Sequence, residues 1–172
     1  MSHIIIAVQG SSFTPTFLNC LLDTFQAIIK SGNTFSYIIR DTIMSYDNFI
    51  ETVKSDIKYD SVVFIDSHCM WNPEWIVNII KSENENLAYG CRDVFIETDF
   101  FDVTDINGKP FPLSTRDVVS GVILNSINIL KLSKNTVDGI GEVVYNGEKF
   151  PIALSSMIKN LHCDFSKVVV KV

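Results

Sequence analysis

The stretch Val62–Cys69, with the sequence VVFIDSHC, decides the fold class of this chain. Its four leading apolar residues are typical of a strand buried on both faces, as strands of a parallel sheet are. The strand ends in Asp66, and His68 follows two residues later. Because ligands of open α/β sheets bind beyond the carboxyl ends of the strands, the stretch places a carboxylate and an imidazole where such a sheet binds its ligand.

The residues before this stretch alternate between strand-like and helical patterns. The apolar run Ile4–Val8 predicts a first buried strand, and apolar residues recurring between positions 17 and 29 predict a helix that ends near Gly32. Phe35–Ile39 predicts a second strand, and Asp47–Lys54 predicts a short helix. This alternation predicts βαβ units and a largely parallel sheet.

The residues after the stretch begin with a helix and then change rhythm. Asn72–Glu74 (NPE) predicts a helix start, with Trp75 on the buried face. Ile127–Leu132 predicts a short helix, residues 150–161 a closing helix, and Ser166–Val172 a last strand. The short extended segments predicted between them are Leu87–Tyr89, Val94–Thr98, Phe100–Val103 and Val118–Leu124, with a tight turn at Asn107–Gly108.

Composition and charge exclude several classes of protein. Of 172 residues, 47% are hydrophobic and 20% are charged, which is typical of one globular domain with a buried core. The net charge of −6 repels phosphate backbones, so nucleic acid is not an expected partner. The sequence has no apolar run of about 18 residues, the length that spans a membrane. It also begins without the basic flank and apolar region of a signal peptide.

The cysteines indicate the compartment. Cys20, Cys69, Cys91 and Cys163 are scattered and form no Cys-x-x-Cys pair. This pattern is typical of reduced thiols, which favours a cytoplasmic location over a disulfide framework or a structural zinc site.

Asp66 and His68 allow two interpretations from the residues alone. Carboxylate oxygen and imidazole nitrogen together suit manganese, zinc or iron, and a cation there would neutralise a diphosphate. Alternatively, Asp66 caps a turn and His68 bonds to the backbone. Trp71, close by, either stacks on a sugar or packs in the core, while His3 beside the first strand is expected to be structural.

The residues Val63–Cys69, followed by Trp75 and an apolar helical face, resemble the corresponding segment of the polypeptide N-acetylgalactosaminyltransferases. The resemblance implies a GT-A-like fold. It also implies that Asp66 and His68 hold a manganese ion that bridges the diphosphate of a UDP-sugar. Gly147–Glu148 resembles the family's entry to a late helix that bears acidic residues near the acceptor. Glu148, with Glu142 as second choice, is the candidate catalytic carboxylate that deprotonates the acceptor hydroxyl. Ordinary exposed loop acids are the alternative interpretation of both residues.

Further nucleotide contacts are predicted at the ends of the first two strands. Gln9, Gly10 and Ser11 follow the first strand, where glycine permits close approach of a ribose or base. Arg40 ends the second strand and is placed to meet a phosphate. An ordinary turn explains the first group equally well, and a surface ion pair explains the arginine.

These observations predict an α/β fold with one GT-A-like domain over residues 1–172, in which a mixed, mostly parallel sheet is flanked by helices. Residues 1–85 form the nucleotide-binding half and residues 86–172 the acceptor half. The predicted activity is metal-dependent transfer of a sugar from a UDP-sugar to a hydroxyl acceptor, with the oligomeric state left open. Two alternatives remain: a reduced, inactive module that binds a nucleotide or sugar, and a metal-dependent nucleotidyl or phosphoryl transferase. The family's third metal ligand, a late His, has no counterpart here, which favours the inactive module.

Overall fold

The computed structural model describes residues 2–9, 15–40, 46–55, 58–66, 69–89, 92–95, 129–143, 150–164 and 168–171. The strands in these ranges are β1 His3–Gln9, β2 Thr34–Arg40, β3 Ser61–Asp66, β4 Cys69–Met70, β5 Leu87–Tyr89, β6 Arg92–Phe95, β7 Ile129–Ser133, β8 His162–Asp164 and β9 Val168–Lys171. The helices are α1 Pro15–Lys30, α2 Tyr46–Lys54, α3 Pro73–Lys81, α4 Lys134–Asp138 and α5 Phe150–Ser155.

The strands form a larger and a smaller sheet. The larger sheet has six strands in the order β2-β1-β3-β7-β5-β8, and the smaller has three in the order β4-β9-β6. β1 is parallel to both β2 and β3, and β8 is parallel to β5. β7 runs antiparallel between β3 and β5. The predicted fold class, a mixed and mostly parallel sheet with helices, is therefore confirmed.

The centre of the larger sheet is buried on both faces because Ile4–Val8 of β1 and Val62–Ile65 of β3 are apolar and buried. Ile4, Ile6 and Val8 pack on one side with residues of α1 and α3. Ile5 and Ala7 point to the other side and pack with residues of α2, α4 and α5. Since successive residues of a strand face opposite ways, an unbroken apolar run supplies two cores at once. Each fully buried large side chain stabilises the fold by about 1.5–3 kcal/mol.

Helix α1 ends as the sequence predicts. Gly32 has a φ of 85°, a left-handed conformation that glycine adopts without steric cost. Its backbone N–H donates to the carbonyl of Ile29 at 3.0 Å, and the N–H of Asn33 donates to Ile28 at 3.3 Å. These bonds satisfy carbonyls at the end of the helix and turn the chain into β2.

The helix predicted at Ile127–Leu132 is wrong, because β7 is a strand. Four of its five residues are buried between two neighbouring strands. A short apolar run cannot be assigned to helix or strand by periodicity alone, and pairing on both edges decides for the strand. The closing helix is also shorter than predicted, since α5 ends at Ser155 and the chain continues through turns into β8.

Other predicted segments have mixed outcomes. Leu87–Tyr89 is confirmed as β5, and β9 lies within the predicted last strand. Val94–Thr98 overlaps β6 at residues 94 and 95. Phe100–Val103, Asn107–Gly108 and Val118–Leu124 lie outside the described residues. None of the helices in the described ranges has the length and hydropathy needed to cross a membrane.

Candidate functional site

Three of the predicted ligand-binding residues lie side by side at the carboxyl edge of the larger sheet. Gln9, the last residue of β1, is in register with Arg40 on one side and with Asp66 on the other. Each of these residues ends its own strand. Because neighbouring strands are about 4.8 Å apart, the row spans about 10 Å between the outer backbones. Parallel pairing thus brings together residues that are distant in sequence.

Gln9 and Arg40 are held at this edge by the sheet. Gln9 is buried, with 9% of its surface exposed. Arg40 is half-buried, and its Nη1 donates to the carbonyl of Ile39 at 3.1 Å. Its Nε is buried and has no hydrogen-bond partner among the described residues. Since a guanidinium carries five N–H donors that suit phosphate and carboxylate, Arg40 has donor capacity left for an anion.

The carboxyl edge continues across the other strands. Ile129, at the start of β7, is in register with Ile65 and with Tyr89 at the end of β5. Tyr89 is in turn in register with Asp164, the last residue of β8. Sequence reasoning missed Asp164 because a three-residue strand carries too short a pattern to be recognised. The sequence marks Asp164 only as an acidic residue that follows His162 and Cys163.

The chain leaves the larger sheet at the predicted motif. β3 ends at Asp66 and β4, which belongs to the smaller sheet, begins at Cys69. β4 pairs with β9, and α3 starts shortly afterwards at Pro73. The segment that contains the Asp-x-His pair therefore connects two sheets and a helix.

The residue that follows β4 fastens this connection to α1. Trp71 is 5% exposed, and its Nε1 donates to Thr24 Oγ1 at 3.0 Å. Its ring meets Phe17 edge-on, with centroids 5.7 Å apart. Its carbonyl accepts from Cys20 Sγ at 3.1 Å. The packing interpretation of Trp71 is confirmed, and the buried tryptophan is this one, since Trp75 is only partly buried.

Two further residues have structural roles. The ring nitrogens of His3 lie 2.8 Å from Thr34 Oγ1 and 2.9 Å from Ser36 Oγ, so His3 ties β1 to β2 as expected. Cys20 is a buried free thiol, and burial raises its pKa to about 12. At neutral pH Cys20 is therefore a protonated, unreactive core residue.

The remaining predicted site residues are not described by the structure. Gly10, Ser11, His68 and Glu148 lie outside the described residues, and Asp66 is described by its backbone position. Within the described part of the chain, no three His, Cys, Asp or Glu residues are grouped so that they could hold a metal ion.

Comparison by sequence finds no match, either to models of protein families or to curated proteins. Comparison by structure finds solved proteins of similar fold. The structure superposes on HddC from Yersinia pseudotuberculosis with a TM-score of 0.51 and 11% identity, covering 99% of this chain and 93% of that one. It superposes on a putative glucose-1-phosphate thymidylyltransferase from Bacillus anthracis with a TM-score of 0.52 and 7% identity, covering 99% and 89%.

A third similar structure is glucosyl-3-phosphoglycerate synthase from Mycobacterium tuberculosis, solved with Mn²⁺, UDP and phosphoglyceric acid. Its TM-score is 0.50 at 11% identity, covering 98% of this chain and 70% of that one. This chain therefore shares its mixed α/β fold with these three proteins. The superpositions establish a shared fold, and identities of 7–11% assign no activity to this chain.

Proposed function

We propose that this chain is a transferase that binds a nucleoside diphosphate-sugar at the carboxyl edge formed by Gln9, Arg40 and Asp66. The observation that carries the proposal is the register of these three residues at the ends of adjacent parallel strands. Ligands of open α/β sheets bind at this edge. The uncommitted donor of Arg40 supports an anionic ligand.

Each residue has a distinct role in the proposal. Arg40 binds a phosphate, while Gln9, with Gly10 and Ser11, contacts the ribose or base. Asp66 and His68 hold a divalent cation, for which we infer manganese. Carboxylate and imidazole donors suit that ion, and the M. tuberculosis synthase of the same fold was solved with Mn²⁺ and UDP. When bound, the cation would neutralise the diphosphate as it departs.

The second half of the chain supplies the acceptor side of the proposal. Residues 1–85 bind the UDP-sugar, and residues 86–172 shape the pocket for a hydroxyl acceptor. Glu148 accepts the proton of that hydroxyl, the task of a carboxylate general base. We also infer a cytoplasmic location, which the scattered cysteines of the sequence favour.

A second candidate function, nucleotidyl transfer, is favoured by one comparison. The thymidylyltransferase of B. anthracis shares the fold with a TM-score of 0.52. Both reactions need a nucleotide phosphate at the carboxyl edge, so the row of three residues supports either. They differ in the leaving group, which is UDP for glycosyl transfer and pyrophosphate for nucleotidyl transfer.

The products separate these possibilities. The purified chain is incubated with UDP-sugars and Mn²⁺, with and without a chelator, and UDP release is measured. A parallel reaction with nucleoside triphosphates and a sugar 1-phosphate measures pyrophosphate release. We expect metal-dependent UDP release. Pyrophosphate release alone would replace the proposal with nucleotidyl transfer, and nucleotide binding without either product would leave a non-catalytic binding module.

Matched variants test the residues. Asp66→Asn should lower UDP release by roughly 100-fold or more. Loss of a residue that hydrogen-bonds to a metal ligand already lowers metal affinity or activity about 10- to 100-fold, and loss of the ligand itself should cost at least as much. Asp138→Asn is the control, because Asp138 is an exposed acid on α4, at the opposite edge of the sheet, paired with Lys134 at 3.0 Å. Glu148→Gln should slow turnover and leave UDP affinity unchanged. Equal activity of Asp66→Asn and Asp138→Asn would contradict the assignment.

A further inference from the structure

An exposed apolar surface lies on the side of α1 and β2. Leu18, Leu22 and Ile29 of α1 are 41%, 57% and 61% exposed, and Tyr37 of β2 is 61% exposed. Phe25, partly buried between them, stacks on Phe35 at 4.4 Å and on Tyr37 at 5.8 Å between ring centroids. The aromatic stack joins the helix and the strand into one surface, here called the α1–β2 surface.

The α1 part of this surface has the spacing of a helix–helix interface. Leu18, Leu22, Phe25 and Ile29 are separated by four, three and four residues. Apolar residues at this spacing form one stripe on a helix, the seam along which two helices pack in a coiled coil. Single exposed apolar residues are normal on a monomer, whereas contiguous apolar patches are often interaction sites.

The β2 part of the surface is an unprotected sheet edge. β2 is the outermost strand of the larger sheet, seven residues long, and among the described residues it pairs only with β1. Edge strands are commonly protected by lysine, proline or bulges. Between Thr34 and Ile39 the sequence has neither a charged residue nor a proline. This edge, which is unpaired among the described residues, therefore offers its backbone groups to another strand.

The charges of the surface favour a second copy as its partner. Residues 15–40 contain Asp23, Lys30 and Arg40 as their only charged residues, although the whole chain carries a net charge of −6. Two negatively charged copies repel each other where their acidic surfaces come close together. The α1–β2 surface is a region where that repulsion is absent. A membrane partner is disfavoured, because α1 offers one lysine as its only basic residue.

We propose that two copies of this chain associate through the α1–β2 surface about a two-fold axis. In an antiparallel pairing of β2 with its copy, centred on Tyr37, the two Tyr37 residues are opposite each other and Phe35 is opposite Ile39 of the second copy. Such a contact is isologous, as two-fold dimers require. The apolar side chains of one β2 strand thereby lie opposite those of the other. The two α1 stripes lie on the same side of the joined sheet.

The exposed area indicates how strong the proposed association is. The four exposed side chains offer roughly 400 Å² of surface per copy, judged from their exposed fractions and the usual size of such side chains. Two copies would bury about twice that amount, before the strand edges and Phe25 are added. Stable specific interfaces bury about 1,200–2,000 Å² in total and weaker ones less, so we expect a weak dimer whose population rises with concentration.

The proposal is independent of the function assigned above. Antiparallel pairing of β2 places the two carboxyl edges at opposite ends of the joined sheet, so each copy keeps its own site. Variants that separate the copies are therefore expected to retain the nucleotide affinity of the parent chain. Loss of the proposed function and loss of the dimer can be observed separately.

Light scattering over a range of concentrations tests the dimer. The mass of the parent chain should rise towards twice 19.4 kDa as the concentration increases, and Leu22→Lys or Tyr37→Lys should raise the dissociation constant of the dimer at least about tenfold. Met157→Lys is the matched control, because Met157 is 39% exposed and lies outside the surface. Circular dichroism checks that each variant is folded.

Cross-linking tests the two-fold axis. Tyr37→Cys should form a covalent dimer under mild oxidation, because facing Cβ atoms of antiparallel strands are about 4.5–5.5 Å apart. Met157→Cys should behave as the parent chain does. A monomer at all concentrations, a dimer insensitive to Leu22→Lys and Tyr37→Lys, or binding of the parent chain to anionic vesicles that these variants abolish would overturn the proposal.

Discussion

Lys131 shows how a single charged residue is accommodated inside the sheet. It lies in β7 with 6% of its surface exposed, and its Nζ donates to the carbonyls of Ser82 and Asn84, both at 3.1 Å. The ammonium thus satisfies backbone acceptors just beyond the end of α3. Burial lowers the pKa of Lys131 below its ordinary 10.5, and nearby Glu85 offsets part of that change.

The lowered pKa of Lys131 makes its contribution to stability depend on pH. Between the folded pKa and 10.5 the unfolded chain binds more protons than the folded chain, so the contribution of Lys131 to the free energy of unfolding rises with pH. We expect the parent chain to gain stability relative to Lys131→Met between pH 7 and pH 10.5. Urea unfolding at both values measures this gain.

Lys81→Met is the control for that measurement, because Lys81 is exposed at the end of α3. It should show no such gain. A difference between the parent chain and Lys131→Met that stays constant with pH, or shrinks as pH rises, would contradict the burial of this ammonium.

The candidate site was partly predictable from single residues. Gln9, Arg40 and Asp66 are predictable because each directly follows an apolar run typical of a strand. Their alignment in one row was not predictable, since it depends on the order β2-β1-β3 and on a register that long-range pairing sets. Lys131 and Asp164 were missed, because the elements that carry them were assigned wrongly or not at all.

At the scale of elements, α3 has a start that the sequence predicted residue by residue. Asn72 adopts extended backbone angles, and its side-chain oxygen accepts from the N–H of Glu74 at 3.1 Å. Pro73 follows at the first helical position, where its missing N–H costs nothing. This cap fixes where the chain turns from β4 into the helix after the Asp-x-His segment.

Removing the cap should destabilise the protein. Asn72→Ala loses the bond to Glu74, and we expect the free energy of unfolding to fall by about 1 kcal/mol. Chemical unfolding measures the change. Asn78→Ala is the matched control, because Asn78 is exposed within the same helix, where alanine is favoured. A loss for Asn78→Ala as large as that for Asn72→Ala would refute the cap.

Elements with long sequence patterns were predicted correctly, whereas the prediction failed for elements with short patterns. The sixteen-residue α1 was predicted from its periodic apolar residues and its glycine stop. The five-residue β7 was assigned to a helix. Its identity depends on hydrogen bonds to β3 and β5, which lie far away in the sequence. Tertiary pairing, rather than local propensity, decides such segments.

At the scale of the whole molecule, the larger sheet separates two surfaces with different uses. Its carboxyl edge collects Arg40, Gln9 and Asp66, and its free β2 edge joins the apolar stripe of α1. We propose the first surface as the nucleoside diphosphate site and the second as the dimer interface. Both follow from the position of β1 and β2 in the strand order.

The most direct test of the account is a calorimetric titration of the chain with UDP in the presence of Mn²⁺. We expect saturable, chelator-sensitive binding that Arg40→Gln weakens roughly 10- to 100-fold, the contribution of hydrogen bonds between a charged donor and a phosphate. Lys81→Gln, which removes an exposed cation away from the carboxyl edge, should bind as the parent chain does. The absence of UDP binding, or equal affinity in the parent chain and Arg40→Gln, would contradict the claim that this edge of the sheet is the nucleotide site.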